Sequence, residues 1–391
     1  MIPLLNLTKL HEPLAAELQH TFQTCLESSR FIDASAVEEF CRSFAAYQQI
    51  DHAVGCANGT EALRIAILVG LGQGDGTQEV MTVSHTFFAT TEAIVAAGYR
   101  PVFVDVEPDT GLMDVSQVEQ AITSRTAAIV PVHLYGQMVD MVKLAAIAHR
   151  HGLPIIEDAA QAHGAQRESI HPGQRSLAAT YSFFPGKNLG AFGDAGAIVT
   201  SDPCFATRCA SFIDHGRANR FEGQGKHLHA TFAGNSRMDA LQARILQVKL
   251  RHLETWNQRR RDIASLYVAG LAEVDEIVPL RTPPVSVPVF HQFVIRHEER
   301  DSLREFLQEN GIATGVHYPV PVHLQPAWTE GAFCDQSDGP ALPVTEALAK
   351  RIVSLPICPT MNDETVFRVL DTLRDFCTTR AMPRTAMPAN L

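Results

Sequence analysis

SFFPGKNLGAFGDAGAIVT (182–200) begins on one apolar run, ATYSF (179–183), and closes on another, GAIVT (196–200). Both runs are short, with β-branched and aromatic residues, which fits buried strands better than helices. Between them Pro185, Gly186, Gly190, Gly193 and Gly196 surround Lys187. Glycine lets backbone approach a ligand closely or adopt positive φ. A lysine held at a strand end in such a loop is poorly solvated, and desolvation lowers its pKa and frees the amine to attack a carbonyl. The residues alone leave a second reading open, a glycine-rich turn with an incidental lysine.

Working outward, VFVDV (102–106), AIVPVHL (128–134) and LPIIED (153–158) read as further buried strands. Helical patterns lie between several of them, at 59–71, at 87–97 and at 138–152, where MVDMVKLAAIAHRHG ends on Gly152 as helices commonly do. Such alternation predicts an α/β fold with a mainly parallel sheet covered on both faces. The character changes after about residue 235. Leu241, Ile245 and Val248 stand at helical spacing, and a polar continuation through Arg259, Arg260 and Arg261 predicts one long helix leaving the first domain. A Pro-rich stretch (281–290), a strand-like FVIRH (293–297) and a helix from about Asp301 to Asn310 follow. The tail TTRAMPRTAMPANL (378–391) has no periodicity and predicts a loose end.

At 391 residues the chain exceeds one ordinary core, so two domains are expected. A formal charge of −11 argues against a general nucleic-acid binder, which needs concentrated Lys and Arg. Eight cysteines without a CxxC pair argue for free thiols rather than a disulfide framework or a structural zinc site. The N-terminus MIPLLNLTKLHEPL lacks a secretory pattern, and no apolar stretch is long enough to span a membrane. These features together predict a cytoplasmic protein.

Two further segments bear on Lys187. In IIEDAAQAHGA (155–165), Asp158 directly follows an apolar strand. Ligands of parallel α/β sheets bind beyond the carboxyl ends of the strands, where a carboxylate can pair with a buried cation such as a protonated pyridine nitrogen. Alternatively Asp158 caps a helix starting at Ala159. Asp158 precedes Lys187 by about one strand–helix–strand step, a spacing that places both at one sheet edge. In CANGTEALRIAI (56–67), Asn58, Gly59 and Thr60 precede a helix with Glu61 in its first turn. Free N–H groups there can hold a phosphate, or Asn58 is an ordinary cap. The glycines at 70–76 do not spell a dinucleotide fingerprint, and Gly186–Lys187 lacks P-loop spacing. His227 and His229 could suggest a metal, but a strand face suits their spacing better. The Arg259–Arg261 run reads as a solvated helix face. HYPVPVHLQPAW (317–328) reads either as a recognition loop for a sugar or nucleotide or as a structural connection.

Together NGTEAL (58–63), SHTFFATTEAI (84–94), PVHLYGQMVDM (131–141), EDAAQAHGA (157–165), SFFPGKNLGAFGDAGAIVT (182–200), GNSRMDALQARIL (234–246), HYPVPVHLQPA (317–327) and SLP (354–356) resemble the DegT/DnrJ/EryC1/StrS nucleotide-sugar aminotransferases. The resemblance runs from about Asn6 to Phe376. It implies an aspartate-aminotransferase-like (fold type I) α/β architecture. A large domain (1–255) with an N-terminal arm and a mainly parallel seven-stranded sheet would precede a smaller α+β C-terminal domain (256–377), and the tail is 378–391. It implies pyridoxal 5′-phosphate, passing through pyridoxamine 5′-phosphate. Lys187 would be the Schiff-base lysine and proton-shuttling base, Asp158 the partner of the pyridinium nitrogen, and Gln161 a neighbour of O3′. Phe87 would stack on the ring, and Gly59, Thr60 and Ser182 would hold the phosphate. Asn235 would reach the phosphate of the partner subunit in a homodimer with shared sites, and Tyr318 and His323 would face substrate. The implied reaction takes an amino group from L-glutamate to a keto-deoxysugar on dTDP or UDP, 3-keto favoured over 4-keto. Ser29 and the loop 166–176 depart from the family pattern, which leaves substrate identity open. Amination of a cyclitol ketone, or a PLP-binding regulatory protein without turnover, are the alternatives. Relatives with histidine at the place of Lys187 dehydrate instead, so the lysine argues for transamination.

Overall fold

A computed structural model describes residues 1–217, 227–330 and 341–381. Its centre is one sheet of seven strands: β1 (His52–Cys56), β2 (Glu79–Val83), β3 (Arg100–Val104), β4 (Thr126–Ile129), β5 (Ile156–Asp158), β6 (Ala178–Ser182) and β7 (Gly196–Thr200). β2 pairs in parallel with β3 and β4. Parallel bridges Ile129–Ile155 and Val132–Asp158 join β4 to β5, and β5 runs parallel to β6. β7 is antiparallel to both β6 and β1. The order is therefore β3-β2-β4-β5-β6-β7-β1, with β7 alone reversed. β2 and β7 are buried throughout, as strands covered on both faces must be.

Helices cover both faces. α1 (Ala34–Tyr47) packs Phe40 and Phe44 onto Phe183 and Tyr181 of the sheet. α2 (Gly59–Leu71) buries Leu63, Ile65 and Ile67 on the other side. α3 (Phe88–Ala96) joins α2 there, and α4 (Met141–Arg150) lies over the α1 side. A second core gathers Ile263, Tyr267, Phe293, Ile295, Leu303, Val353 and Leu373, and Ile2 from the N-terminus joins it.

Several boundaries differ from the sequence expectation. The strands expected at 102–106 and 128–134 each start two residues earlier, and the second stops at Ile129. Beyond it Tyr135 takes φ 62°, which no strand accommodates. The long helix expected after residue 236 is two, α5 (Ala240–Leu250) and α6 (Leu253–Leu271). The break falls at Arg251–His252, whose ψ values relax to −20° and −10°. α7 (Asp363–Ala381) continues into the stretch expected to be a loose tail, and residues 382–391 lie outside the described residues. No described helix is long and apolar enough to cross a membrane.

Candidate active site

The carboxyl edge of the sheet opens into a cavity of about 720 Å³, within the range of small-molecule sites. Its walls include Asn58, Gly59 and Thr60 after β1, Thr86 and Phe87 after β2, and His133 after β4. Asp158 and Gln161 come from the end of β5, Ser182 and Lys187 from the end of β6, and Asp194 from just before the reversed β7. Residues from the later chain close the other side: Arg260, His291, Gln292, His317, Tyr318 and Ile357. Leu4 and Leu5 of the N-terminus complete it.

Lys187 sits in a tightly closed turn. Its N–H donates to the Phe184 carbonyl at 2.8 Å, and the Ala191 N–H returns to the Phe183 carbonyl at 2.7 Å. None of the four loop glycines lies in the left-handed region, and Gly190 and Gly196 serve close approach of backbone. A Cβ on Gly190 would stand 2.3 Å from the Pro185 carbonyl oxygen. Lys187 is half-buried and lines the cavity. Burial lowers its pKa to about 8, against the raising influence of the Asp158 carboxylate. A fraction of the amine is therefore neutral near neutral pH and able to attack a carbonyl.

Asp158 is held by two donors. Its Oδ2 accepts from Thr90 at 2.8 Å, and its Oδ1 accepts from the Ala160 N–H at 3.1 Å. No helix follows it; residues 159–165 are turns, so its carboxylate closes a local turn instead of capping a helix. Beneath it, buried Glu157 accepts from His133 Nε2 at 2.5 Å, from the Gly173 N–H at 2.8 Å and from Ser176. The Val139 N–H donates to His133 Nδ1 at 3.2 Å, which puts the imidazole proton on Nε2. Gln161 is oriented in the same way. Its Oε1 accepts from the Tyr135 N–H at 2.8 Å, so its amide nitrogen faces the cavity and donates to the Tyr318 hydroxyl at 3.2 Å.

At the α2 terminus the Asn58 side chain accepts from the Glu61 N–H at 2.8 Å. The Gly59 and Thr60 N–H groups are left without a protein acceptor among the described residues. A Cβ on Gly59 would lie 2.5 Å from Ser182 Cβ, so only glycine lets this turn abut the end of β6. Two free N–H groups, the helix dipole and a hydroxyl form an anion cradle.

Three buried histidines stand beside the lysine; His317 lay in the segment singled out as a recognition loop, and His163 and His291 had no role assigned. Burial, with the charge of Lys187, lowers His163 to about 3 and His317 to about 4, and drives His291 well below its ordinary value. Asn188 gives both amide hydrogens away, to Asn257 at 3.0 Å and the Val289 carbonyl at 2.8 Å. Its oxygen therefore faces His291 Nδ1 at 3.2 Å and places that ring's proton. Neighbouring Lys187 was the one available signal for Asn188; nothing in the sequence marked His291.

Other expected positions fall elsewhere. Phe87 and Tyr318 both line the cavity, with ring centroids 5.6 Å apart. His323 does not line it: its ring is buried, with Nδ1 2.6 Å from the Ser84 hydroxyl, which also accepts the His323 N–H at 3.0 Å. It ties the 322–324 turn to the segment leading to Phe87. Asn235 is exposed and outside the cavity. His229 is exposed and bonded to the His215 carbonyl, and no metal-holding cluster exists among the described residues. The expectation of a solvated Arg259–Arg261 face fails at its middle member, because Arg260 turns inward and is 3% exposed.

Comparison with known proteins follows this geometry. A relative from Streptomyces venezuelae, dTDP-3-amino-3,4,6-trideoxy-alpha-D-glucose transaminase, is 44% identical over 96% of this chain and 96% of its own. A Geobacillus stearothermophilus protein named pleiotropic regulatory protein is 43% identical over 96% and 98%. Among solved structures, S. venezuelae DesV in complex with a ketimine intermediate superposes with TM-score 0.89 at 43% identity, covering 96% of this chain and 98% of that one. Bacillus subtilis NtdA with bound PMP superposes with TM-score 0.88 at 31% identity, over 96% and 85%. The DegT/DnrJ/EryC1/StrS aminotransferase family matches residues 13–374. The chain belongs to that family and is a fold type I aminotransferase.

Proposed function

We propose that this protein uses pyridoxal phosphate to move an amino group from L-glutamate to a keto-deoxysugar carried on dTDP or UDP, most readily at C3. The observation that carries the reading is the pairing, across one cavity, of a desolvated lysine with a carboxylate at neighbouring strand ends. The donor set fits the cofactor: an anion cradle at Gly59, Thr60 and Ser182, a carboxylate at Asp158, an amide N–H at Gln161, an aromatic ring at Phe87 and an amine at Lys187. The sugar and the 3-position draw support from the S. venezuelae transaminase and from Acidithiobacillus ferrooxidans and Pseudomonas aeruginosa relatives named for 3-dehydro or 3-oxo UDP-sugars.

When bound, the cofactor supplies an electron sink that acidifies the carbon bearing the amino group. The chain's own residues do the rest. Gly59, Thr60 and Ser182 anchor the phosphate end. Asp158 would hold a positive ring nitrogen, and Gln161, fixed by Tyr135, would offer its amide N–H to the cofactor. The Lys187 amine would hold the cofactor and would serve as the base that moves a proton at the substrate carbon. Burial keeps that amine partly neutral, which this step requires. Tyr318 and Gln161 face the acceptor.

A homodimer with shared sites suits Asn235, which is exposed and away from its own cavity, and suits the exposed rings of Phe31, Phe184 and Phe232. A cytoplasmic location suits the seven described cysteines, all free.

The test is direct. PLP-loaded protein should show the visible Schiff-base band, and L-glutamate should bleach it. Keto-sugar nucleotides should restore it with formation of an amino sugar. Lys187→Ala should abolish turnover and release the cofactor on gel filtration. A band unmoved by glutamate would favour a regulator without turnover, the reading that the G. stearothermophilus relative's name brings forward.

A further inference from the structure

Tyr318 is carried into the cavity wall by a segment pinned at both ends. At its start Gly315 and Ser354 exchange backbone hydrogen bonds of 3.1 Å and 2.8 Å, and His317 Nδ1 lies 2.8 Å from the Ser354 hydroxyl. At its end the Val322 N–H donates to the Ser84 carbonyl at 3.1 Å and the His323 N–H to the Ser84 hydroxyl at 3.0 Å. Between these pins, among the described residues, two hydrogen bonds join residues 317–321 to the turns that follow β4 and β5. The Tyr135 hydroxyl donates to the His317 carbonyl at 2.5 Å, and Gln161 Nε2 donates to the Tyr318 hydroxyl at 3.2 Å.

Both bonds depend on Tyr135. Its backbone N–H holds Gln161 Oε1 at 2.8 Å, which leaves the Gln161 amide hydrogens for Tyr318. Its hydroxyl has one proton to give. Burial, then the Tyr318 phenol, push its pKa well above the ordinary tyrosine range, so that proton stays. A carbonyl can only accept, so the proton goes to His317. His85 Nε2, 2.8 Å away, must then donate to the phenol oxygen. Burial lowers the His85 pKa to about 4, against the raising influence of Asp105, so the neutral ring has the single N–H that this requires. Tyr135 itself is 1% exposed and outside the cavity lining. It keeps φ 62°, a left-handed backbone that a bulky residue holds only where its surroundings over-determine it. Glycine would relieve that strain and lose the hydroxyl.

We propose that Tyr135 is a positioning residue, registering the acceptor-facing Tyr318 against the cofactor-facing Gln161. This rests on the aminotransferase reading and adds to it the residue that sets one side of the cavity against the other. Tyr135 acts through the His317 carbonyl with its side chain and through Gln161 with its backbone. The two actions separate cleanly, because Tyr135→Phe removes the hydroxyl and keeps the N–H. That variant should leave Gln161 in place and release residues 317–321.

Two measurements on the PLP-loaded protein test this. Hydrogen exchange comes first. In Tyr135→Phe the amides of Val316, His317, Tyr318 and Val320 should exchange roughly twofold to tenfold faster, the scale of one lost hydrogen bond, while those of 157–161 stay within about twofold of wild type. A residue that merely supports the fold would loosen both stretches. Single-turnover absorbance comes second. Bleaching by L-glutamate should stay within about twofold of wild type, and regeneration by a dTDP-linked 3-keto-deoxysugar should slow roughly twofold to tenfold. Combining Tyr135→Phe with Tyr318→Phe should regenerate within about twofold of the slower single variant, because a residue that acts through Tyr318 then has nothing left to position. If Tyr135→Phe fails to fold, His85→Met leaves residue 135 whole and removes the hydrogen that aims its hydroxyl. It should raise exchange at 316–320 and not at 157–161. Equal loosening of both stretches, exchange unchanged in both, or a double variant whose losses multiply would each overturn the proposal. The exchange measurement needs no substrate, so it separates the two readings. A wild-type band that glutamate leaves unmoved sinks the aminotransferase reading; exchange that rises in both stretches or in neither sinks this inference alone.

Discussion

The two sides of the cavity are built by different means. The sheet edge supplies Gly59, Thr60, Asp158, Ser182 and Lys187 from strand ends, each within a few residues of a regular element. The opposite wall supplies Arg260, His291, Gln292, His317, Tyr318 and Ile357 from a helix interior and from loops more than sixty residues beyond Lys187 in the chain. The sheet edge carries the charged groups and free N–H groups proposed to hold the cofactor. The wall is mostly neutral and aromatic, with one cation. Substitutions on the edge should therefore cost rate whatever the substrate, and substitutions on the wall should redistribute preference among substrates.

The largest effect short of removing Lys187 is expected at Asp158. Asp158→Asn should lower kcat by roughly a hundredfold to a thousandfold, the scale for losing one pre-organised charge at a reacting centre, with both substrates affected alike. The same variant makes a pH prediction. Only the neutral Lys187 amine can take up the cofactor, so uptake by the cofactor-free protein should accelerate as pH rises through about 8 and level off above it. Asp158 raises the lysine pKa, so its loss should move that midpoint to lower pH. A midpoint that stays put, followed by stopped-flow absorbance, would separate the two residues electrostatically.

Gly59→Ala comes next. Its Cβ would collide with Ser182 Cβ at 2.5 Å, prising the helix terminus from the end of β6. Overpacking of this kind typically costs about 1–3 kcal/mol. Cofactor retention during dialysis should fall more than melting temperature does, because the cradle rather than the core is opened. Equal losses in both would show that the turn is structural first.

Much of the edge was legible in the sequence and little of the wall was. β-branched runs between helical patterns gave the α/β layering, and Asp158 and Lys187 fell at strand ends because strand period and length are local properties. Lys187 was readable because glycines and a proline crowd it within a few positions. His291 and Arg260 had no such marking. Their burial comes from α6 packing against the 290–293 and 355–358 segments, contacts that span 30 and 97 residues. An Arg-Arg-Arg run reads as solvated because composition carries no information on which of three helical positions faces inward. His323 misled for the opposite reason. It sits in a motif with Tyr318, but the turn at 322–324 rotates it onto Ser84.

Tyr318 gives the smallest and sharpest contrast. Burial pushes its phenol well above the ordinary tyrosine range, so it remains protonated at any working pH. It accepts from Gln161 at 3.2 Å, and its own proton has no protein acceptor among the described residues. That proton is free for a substrate oxygen. Tyr318→Phe keeps the ring against Phe87 and removes one neutral hydrogen bond, worth about 0.5–1.5 kcal/mol, or roughly twofold to tenfold in kcat/KM. The loss should fall on the hydroxyl-rich sugar and leave the glutamate half-reaction within about twofold. Single-turnover bleaching by glutamate and regeneration by the sugar nucleotide measure the two halves separately. If Tyr318→Phe instead slows both halves as severely as Asp158→Asn, the wall is as much part of the reacting centre as the sheet edge, and the division between them fails.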